Sequence, residues 1–177
     1  LVGYMLHPDQ RILEEQRRMA KAFGLPLIWG TTSELDGRSL SVARDAGVPS
    51  LYAEHGGGGG CDPTGIKDYV AGCLGVMVEL GMLSRPLCGK PTPMIVEDPR
   101  KDSGHLQIHH PAPCAGYFRP VKRLGETIQA GETLGRIVDV VGKELAVIPA
   151  AQSGTVLLLS WCPVVEAGDT LGVILEQ

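Results

Sequence analysis

Hydrophobic and polar positions along the chain fall into two textures that meet near residue 100. In the first, short apolar runs alternate with longer stretches whose apolar residues return every three or four positions. Residues 1–6 form one such run and predict a buried strand. Pro8 and Asp9 then open a helix on which Ile12, Leu13, Met19, Ala20 and Phe23 recur at helical spacing, and Gly24 closes it. Residues 25–29 predict a second strand and residues 39–46 a short helix ended by Gly47. Val48 and Pro49 lead into a strand that carries Glu54. Asp62 and Pro63 supply an N-cap and first turn for a long helix over about 63–83. Its apolar positions are Val70, Leu74, Met77, Val78 and Leu80, and Gly72 and Gly75 would let it pack hard against the sheet. Strands alternating with helices predict a parallel, layered α/β unit over residues 1–100.

The second texture has little helix signal. Pro86, Pro91, Pro93 and Pro99 mark a connector over about 84–103. From 105 to 177, short Val/Ile/Leu runs are separated by Gly-Glu, Gly-Asp and Ser-Gly turns, which predicts a small all-β module. That module repeats itself. Ile128, Gly131, Leu134, Gly135 and Ile137 match Val165, Gly168, Leu171, Gly172 and Ile174, each pair 37 residues apart. Upstream of the copies lie Ala115-Gly116-Tyr117-Phe118 and Ser153-Gly154-Thr155-Val156. Two related halves imply a flattened barrel or sandwich with approximate two-fold symmetry, an arrangement that resembles the biotinyl/lipoyl hammerhead.

Between these textures, residues 50–62 concentrate the chemistry. Leu51, Tyr52 and Ala53 end on a carboxylate, Glu54, then His55. Five glycines follow at 56–60, before Cys61 and Asp62. Polyglycine costs conformational entropy and packs nothing, so it is kept where backbone must pass close to something or take positive φ. One reading is a catalytic carboxylate at a strand's C-terminal edge, where open α/β sheets place ligands. The other is a surface loop after an ordinary strand.

Composition narrows the classes. A net charge of -4 and a pI near 5.7 give no electrostatic case for nucleic acid or an anionic membrane. No apolar run reaches a membrane span, and no signal peptide is read at the start. The five cysteines (61, 73, 88, 114, 162) contain no Cys-x-x-Cys pair and read as reduced thiols, which predicts a cytoplasmic protein. The chain opens on Leu1 with no Met and reads as the middle of a longer polypeptide.

The order of four features carries a family resemblance: Ala53-Glu54-His55-Gly56-Gly57, a long helix ending Leu80-Gly81-Met82-Leu83, a proline-rich connector, and Pro113-Cys114-Ala115-Gly116 opening the β module. Together they resemble the C-terminal half of the succinylglutamate desuccinylase/aspartoacylase family, across essentially the whole chain. These are zinc-dependent deacylases with a zinc-carboxypeptidase-like α/β domain followed by a small β domain. The resemblance implies hydrolysis of the amide of an N-acylated amino acid or similar small molecule. It makes Glu54 the general base and acid for a water molecule, with Gly56 and Gly57 at the substrate. The subgroup with glycine-rich loops includes deacetylases of ectoine breakdown. The family's zinc ligands, a His-x-x-Glu pair and a later Asp-Leu-His, have no match here, nor does its substrate-binding arginine. The resemblance therefore implies a Zn2+ in the parent protein with ligands outside this chain, and an isolated chain that is inactive.

Rival signals are weaker. His105 and His109 share a face of an extended segment, but with about 13 Å between their Cα atoms at strand rise. Cys61 near His55 suggests a Cys–His pair, for which a glycine stretch is a poor scaffold. The glycine run lacks the Gly-Lys-Ser/Thr ending of a P-loop, and Glu79 is expected on the wet face of its helix. Lys143 sits where lipoyl- or biotinyl-type carrier modules present their modified lysine, but Gly142-Lys143-Glu144 lacks the carrier context. A carrier and a non-catalytic assembly fragment are the alternatives to the deacylase. The β module is expected to cap the cleft or make homo-oligomer contacts.

Overall fold

The computed structural model describes residues 1–84, 92–101, 103 and 110–176. The chain divides into two compact units, Leu1–Gly104 and His105–Gln177.

The first unit runs β1 (Val2–Met5), α1 (Gln10–Phe23), β2 (Leu27–Thr31), α2 (Ser39–Asp45), β3 (Tyr52–Ala53), α3 (Pro63–Glu79) and β4 (Met94–Glu97). Both ends of α1 and the start of α3 are set by local signals. Asp9 caps α1 by accepting from the Arg11 N–H at 2.8 Å, and Gly24 at φ 81° returns its N–H to the Ala20 carbonyl. Asp62 caps α3 by accepting from Thr64 and Gly65. β2 starts two residues later than the apolar run suggests. Pro26 has no N–H to donate to a ladder, and Leu25 is spent in the core instead.

The sheet order is β3-β1-β2-β4. β1 and β2 are parallel, as are β2 and β4, but β3 runs antiparallel to β1, with Val2 opposite Ala53 and Gly3 opposite Tyr52. The sheet is therefore mixed and not wholly parallel. The strand leading to Glu54 is two residues long. Its core is Val2, Tyr4, Leu13, Ala20, Phe23, Leu25 and Ile28, with Tyr69 and Val76 of α3 packed against it.

α3 departs from expectation in what it touches. Its main partner is α1, not the sheet. A Cβ on Gly72 would stand 2.5 Å from the Phe23 ring, so the glycine is what lets the two helices meet. Tyr69 adds an edge-to-face contact with Phe23, centroids 5.8 Å apart. The buried positions of α3 are Gly65, Gly72 and Gly75, while Ile66 and Val70 stay about half exposed.

An ionic cluster ties α1 to β4. The Arg17 guanidinium donates to both oxygens of Glu97, at 2.7 and 2.6 Å, and the Tyr4 hydroxyl donates to the same carboxylate at 2.6 Å. Arg17 also pairs with Glu14. Arg17 holds the Glu97 carboxyl below the usual carboxylate range, and burial together with the Glu97 contact pushes the Tyr4 phenol up.

The second unit is all β: β5 (Gly116–Pro120), β6 (Thr127–Ile128), β7 (Thr133–Val138), β8 (Glu144–Pro149), β9 (Gly154–Leu159), β10 (Val164–Val165) and β11 (Gly172–Leu175). They form two sheets, β10-β5-β7-β8 and β11-β9-β6. The sequence repeat is visible as β5-β6-β7 and β9-β10-β11. Within each copy the first strand pairs with the last, Phe118 opposite Ile137 and Val156 opposite Ile174. The middle strands cross over: Ile128 of β6 lies opposite Gly154, and Val165 of β10 opposite Gly116. Both glycines are sterically required. A Cβ would stand 2.5 Å from an Ile137 methyl at Gly116 and 2.1 Å from the Leu175 carbonyl oxygen at Gly154. Ile128, Leu134, Ile137, Val156, Val165, Leu171 and Ile174 fill the space between, almost wholly buried. His110 fastens the start of this unit. Its Nε2 accepts from the Ala151 N–H at 2.9 Å, and its Nδ1 donates to the Gly172 carbonyl at 3.1 Å.

Candidate functional site

The site is built on β3 and the first two turns of α3. Tyr52 lays its ring over Gly3, where a Cβ would be 2.4 Å away. Ala53 gives its carbonyl to the Tyr69 hydroxyl at 2.6 Å. Glu54 donates its N–H to the Leu1 carbonyl and accepts from the Leu1 nitrogen, both at 2.9 Å. Its backbone is thus held on both sides. Its side chain is exposed, and among the described residues no hydrogen bond or ion pair engages the carboxylate. Neighbouring groups feel its charge: burial first, then Glu54, pushes the Tyr52 phenol up to about 12 and raises the Tyr69 phenol.

His55 is placed by α3. Its Nε2 lies 3.1 Å from Asp62 Oδ2, and its Nδ1 lies 3.8 Å from Asp68 Oδ2. The ring occupies the space over Gly65, where a Cβ would be 2.6 Å from Cδ2. Asp62 therefore does two jobs, capping the helix and holding the imidazole. The Thr64 N–H first, and then His55, hold its carboxyl below the usual range. The glycine run turns back immediately afterwards, with Gly56, Gly58 and Gly59 at φ 62°, 69° and 67°. Only glycine takes that conformation repeatedly at little cost. Against this loop lies a cavity of about 410 Å³ walled by His55, Gly56, Gly57, Ile66, Tyr69 and Val70, among others.

The residues singled out in sequence land as follows. Gly56 and Gly57 are in the cavity wall. Glu54 is not: the wall starts with the next residue, and Glu54 itself is exposed. The end of β3 also differs from expectation in its place on the sheet. Because β3 is antiparallel, Glu54 stands at the N-terminal ends of β1, β2 and β4, not at their carboxyl ends. Gly56 and Gly57 make no close approach, since a Cβ on either would meet nothing within 4 Å. At Gly56 positive φ is the requirement.

The rivals are placed too. Cys61 is an exposed thiol, and the His55 nitrogens address Asp62 and Asp68. His105 and His109 lie outside the described residues, as does Cys88. Glu79 is partly exposed and pairs with Arg18 at 3.1 Å. Lys143 is exposed in the β7–β8 turn, its N–H donated to Asp139 Oδ1, but Val140 and Val141 form the tip, 82% and 84% exposed. Sequence reading missed the His55–Asp62–Asp68 cluster and Tyr69. Asp62 was legible as a cap, but a cap has a second oxygen, and here Oδ2 serves both the Gly65 N–H and the His55 ring.

Among the described residues no three His, Cys, Asp or Glu side chains converge so as to hold a metal ion. These residues do not fit the zinc that the resemblance implies. Nor is any helix of the described residues long and apolar enough to cross a membrane.

A layered α/β unit followed by a two-fold β module is a fold shared with solved structures of the succinylglutamate desuccinylase/aspartoacylase family. The ectoine utilization protein EutE (DoeB) of Ruegeria pomeroyi superposes with a TM-score of 0.85 at 18% identity, covering 98% of this chain and 52% of that one. A succinylglutamate desuccinylase of Silicibacter sp. TM1040 gives 0.82 at 18% identity over 98% and 52%. A succinylglutamate desuccinylase/aspartoacylase of Rhodobacter sphaeroides gives 0.76 at 24% identity over 99% and 53%. The chain thus spans about half the length of the structures it matches. No family model and no curated protein sequence matches it.

Proposed function

We propose that this chain is part of a deacylase that hydrolyses the amide bond of an N-acylated amino acid or similar small amide. Glu54 takes a proton from the attacking water and hands it to the departing amine. Among the described residues no hydrogen bond or ion pair engages that carboxylate, and its backbone is fixed on both sides while the side chain stays open. That combination, beside a glycine-walled cavity, is the observation that carries the reading. The shared fold supports it. Gly56 and Gly57 offer backbone to the substrate without side chains in the way. The Zn2+ of such an enzyme would polarise the amide carbonyl, and its ligands would come from outside this sequence. The crossing of β6 and β10 between the two copies supports a hammerhead of the biotinyl/lipoyl type as a shape, with valines at the tip where a carrier would show its lysine.

The test is Glu54→Gln in an assembly that supplies the metal ligands, with N-acetyl amino acids as substrates. Zinc content should stay unchanged and turnover fall by about 10²–10⁴-fold, the usual reach of general acid–base catalysis. Normal turnover removes Glu54 from the chemistry. For the carrier alternative, intact mass after expression with lipoate and biotin ligases should show no addition on Lys143.

A further inference from the structure

We propose that His55 is a positioning residue for Glu54, clamping the chain just after the carboxylate onto the start of α3. The inference rests on the deacylase reading for its consequence, but its geometry stands apart from it. Glu54 is followed by a histidine and five glycines, the most pliable backbone a sequence can supply. Two bonds to Leu1 hold the Glu54 backbone from the sheet side, but the motion of the loop still reaches that residue unless something stops it before the first glycine. His55 is the last residue able to stop it.

The stop is made by one helix acting on both flanks of Glu54. On the near side the Tyr69 hydroxyl holds the Ala53 carbonyl at 2.6 Å. On the far side Asp62 holds the His55 ring at 3.1 Å and Asp68 stands 3.8 Å from its other nitrogen. Asp62 is itself immobilised by the backbone N–H groups of Thr64 and Gly65 at 3.0 and 3.3 Å. Gly65 completes the seat, because any side chain there would displace the ring. Asp62, Gly65, Asp68 and Tyr69 are spaced to bring one stripe of α3 to the strand end. The ring therefore transmits the rigidity of a 17-residue helix to the residue beside it. Catalytic groups need such support, since small misplacement of a base costs large factors in rate.

The experiment compares ¹⁵N relaxation in the 177-residue chain and in its His55→Ala, His55→Gln and Gly65→Ala variants. In the parent chain, order parameters at Glu54 and His55 should be near 0.85, the value of rigid backbone. In His55→Ala they should fall below about 0.6, while β1, α1 and the β module keep theirs. His55→Gln retains an N–H donor toward Asp62 and should recover most of the loss. Gly65→Ala keeps the imidazole but fills its seat, and should behave like His55→Ala. Unchanged order at Glu54 in His55→Ala overturns the proposal. So does a loss spread evenly over β1, α1 and α3, which would make the ring a general support of the unit.

A second measurement separates the clamp from the chemistry. In an active assembly, His55→Ala should lower kcat about tenfold or more with KM and zinc content unchanged. In a Glu54→Gln background it should cost nothing further, because it acts through Glu54. Equal losses in both backgrounds overturn the proposal. An assembly with no deacylase activity at all sinks the reaction assigned above and leaves the relaxation result to decide the clamp.

Discussion

Replacing Glu97 by Gln tests the packing logic of the first unit at its most connected point. Glu97 receives two bonds from Arg17 and one from Tyr4, and it bridges elements 80 residues apart in sequence. Hydrogen bonds to a charged group contribute about 1.5–3 kcal/mol each when well buried. Here the Arg17 and Glu97 side chains are 29% and 25% exposed, so solvent screening takes a large share. Glutamine keeps one acceptor oxygen but turns an N–H toward the guanidinium, leaving Arg17 only Glu14 as an ionic partner. The expected loss is about 2 kcal/mol for the first unit, a fall of roughly 1–2 M in urea midpoint at the m-values of small domains. The assay is urea unfolding followed by Trp29 emission, with Trp161→Phe in both proteins so that only the first unit reports. Acid supplies the decisive control. Glu97 is held below the usual carboxylate range, so its contribution is fully present above the unfolded value of about 4.3 and is lost as pH falls through the folded one. The gap between parent and variant should therefore be widest near pH 7 and close in acid. Equal midpoints at pH 7, or a gap that persists in strong acid, would refute the reasoning.

Three further outcomes follow from the packing. Gly72→Ala places a methyl against the Phe23 ring and should cost about 1–3 kcal/mol by overpacking, read as a lower thermal midpoint of the first unit. His110→Ala deprives the Ala151 N–H and the Gly172 carbonyl of their partner and should destabilise the second unit by about 2 kcal/mol, followed by Trp161 emission. Glu54→Gln, on an exposed carboxylate with no partner among the described residues, should leave the thermal midpoint within about 0.5 kcal/mol equivalent of the parent. A larger loss would mean that the side chain is structural.

Much of the fold was legible because the chain punctuates itself. Asp9 and Gly24, and Asp62 with Pro63, are end signals whose mechanism is local, and the helices obey them. The repeat predicted two-fold pairing because identical spacing of Gly, Leu and Ile can only be reused by identical strands. What could not be read was direction and partnership. Nothing in Tyr52-Ala53 says whether it will run with or against β1, since direction is fixed by which edge is free. The apolar positions of α3 announce burial but not against what, and Gly72 against Phe23 directs the helix to α1. At the site, the place of Gly56 and Gly57 in the cavity wall was legible from the glycine run, whereas the His55 ring depends on a contact seven residues away that no periodicity encodes.

The exchange of β6 and β10 has a consequence for how the second unit can be divided. Each copy lends its middle strand to the other and keeps none for itself, so neither is a structure on its own. A cut at residue 151 would leave two pieces, each with an orphaned ribbon and an open edge. Two molecules of one piece, however, could trade ribbons with each other as the copies do within the intact chain. Duplication of such a self-pairing fragment is a short physical route to the module as it stands.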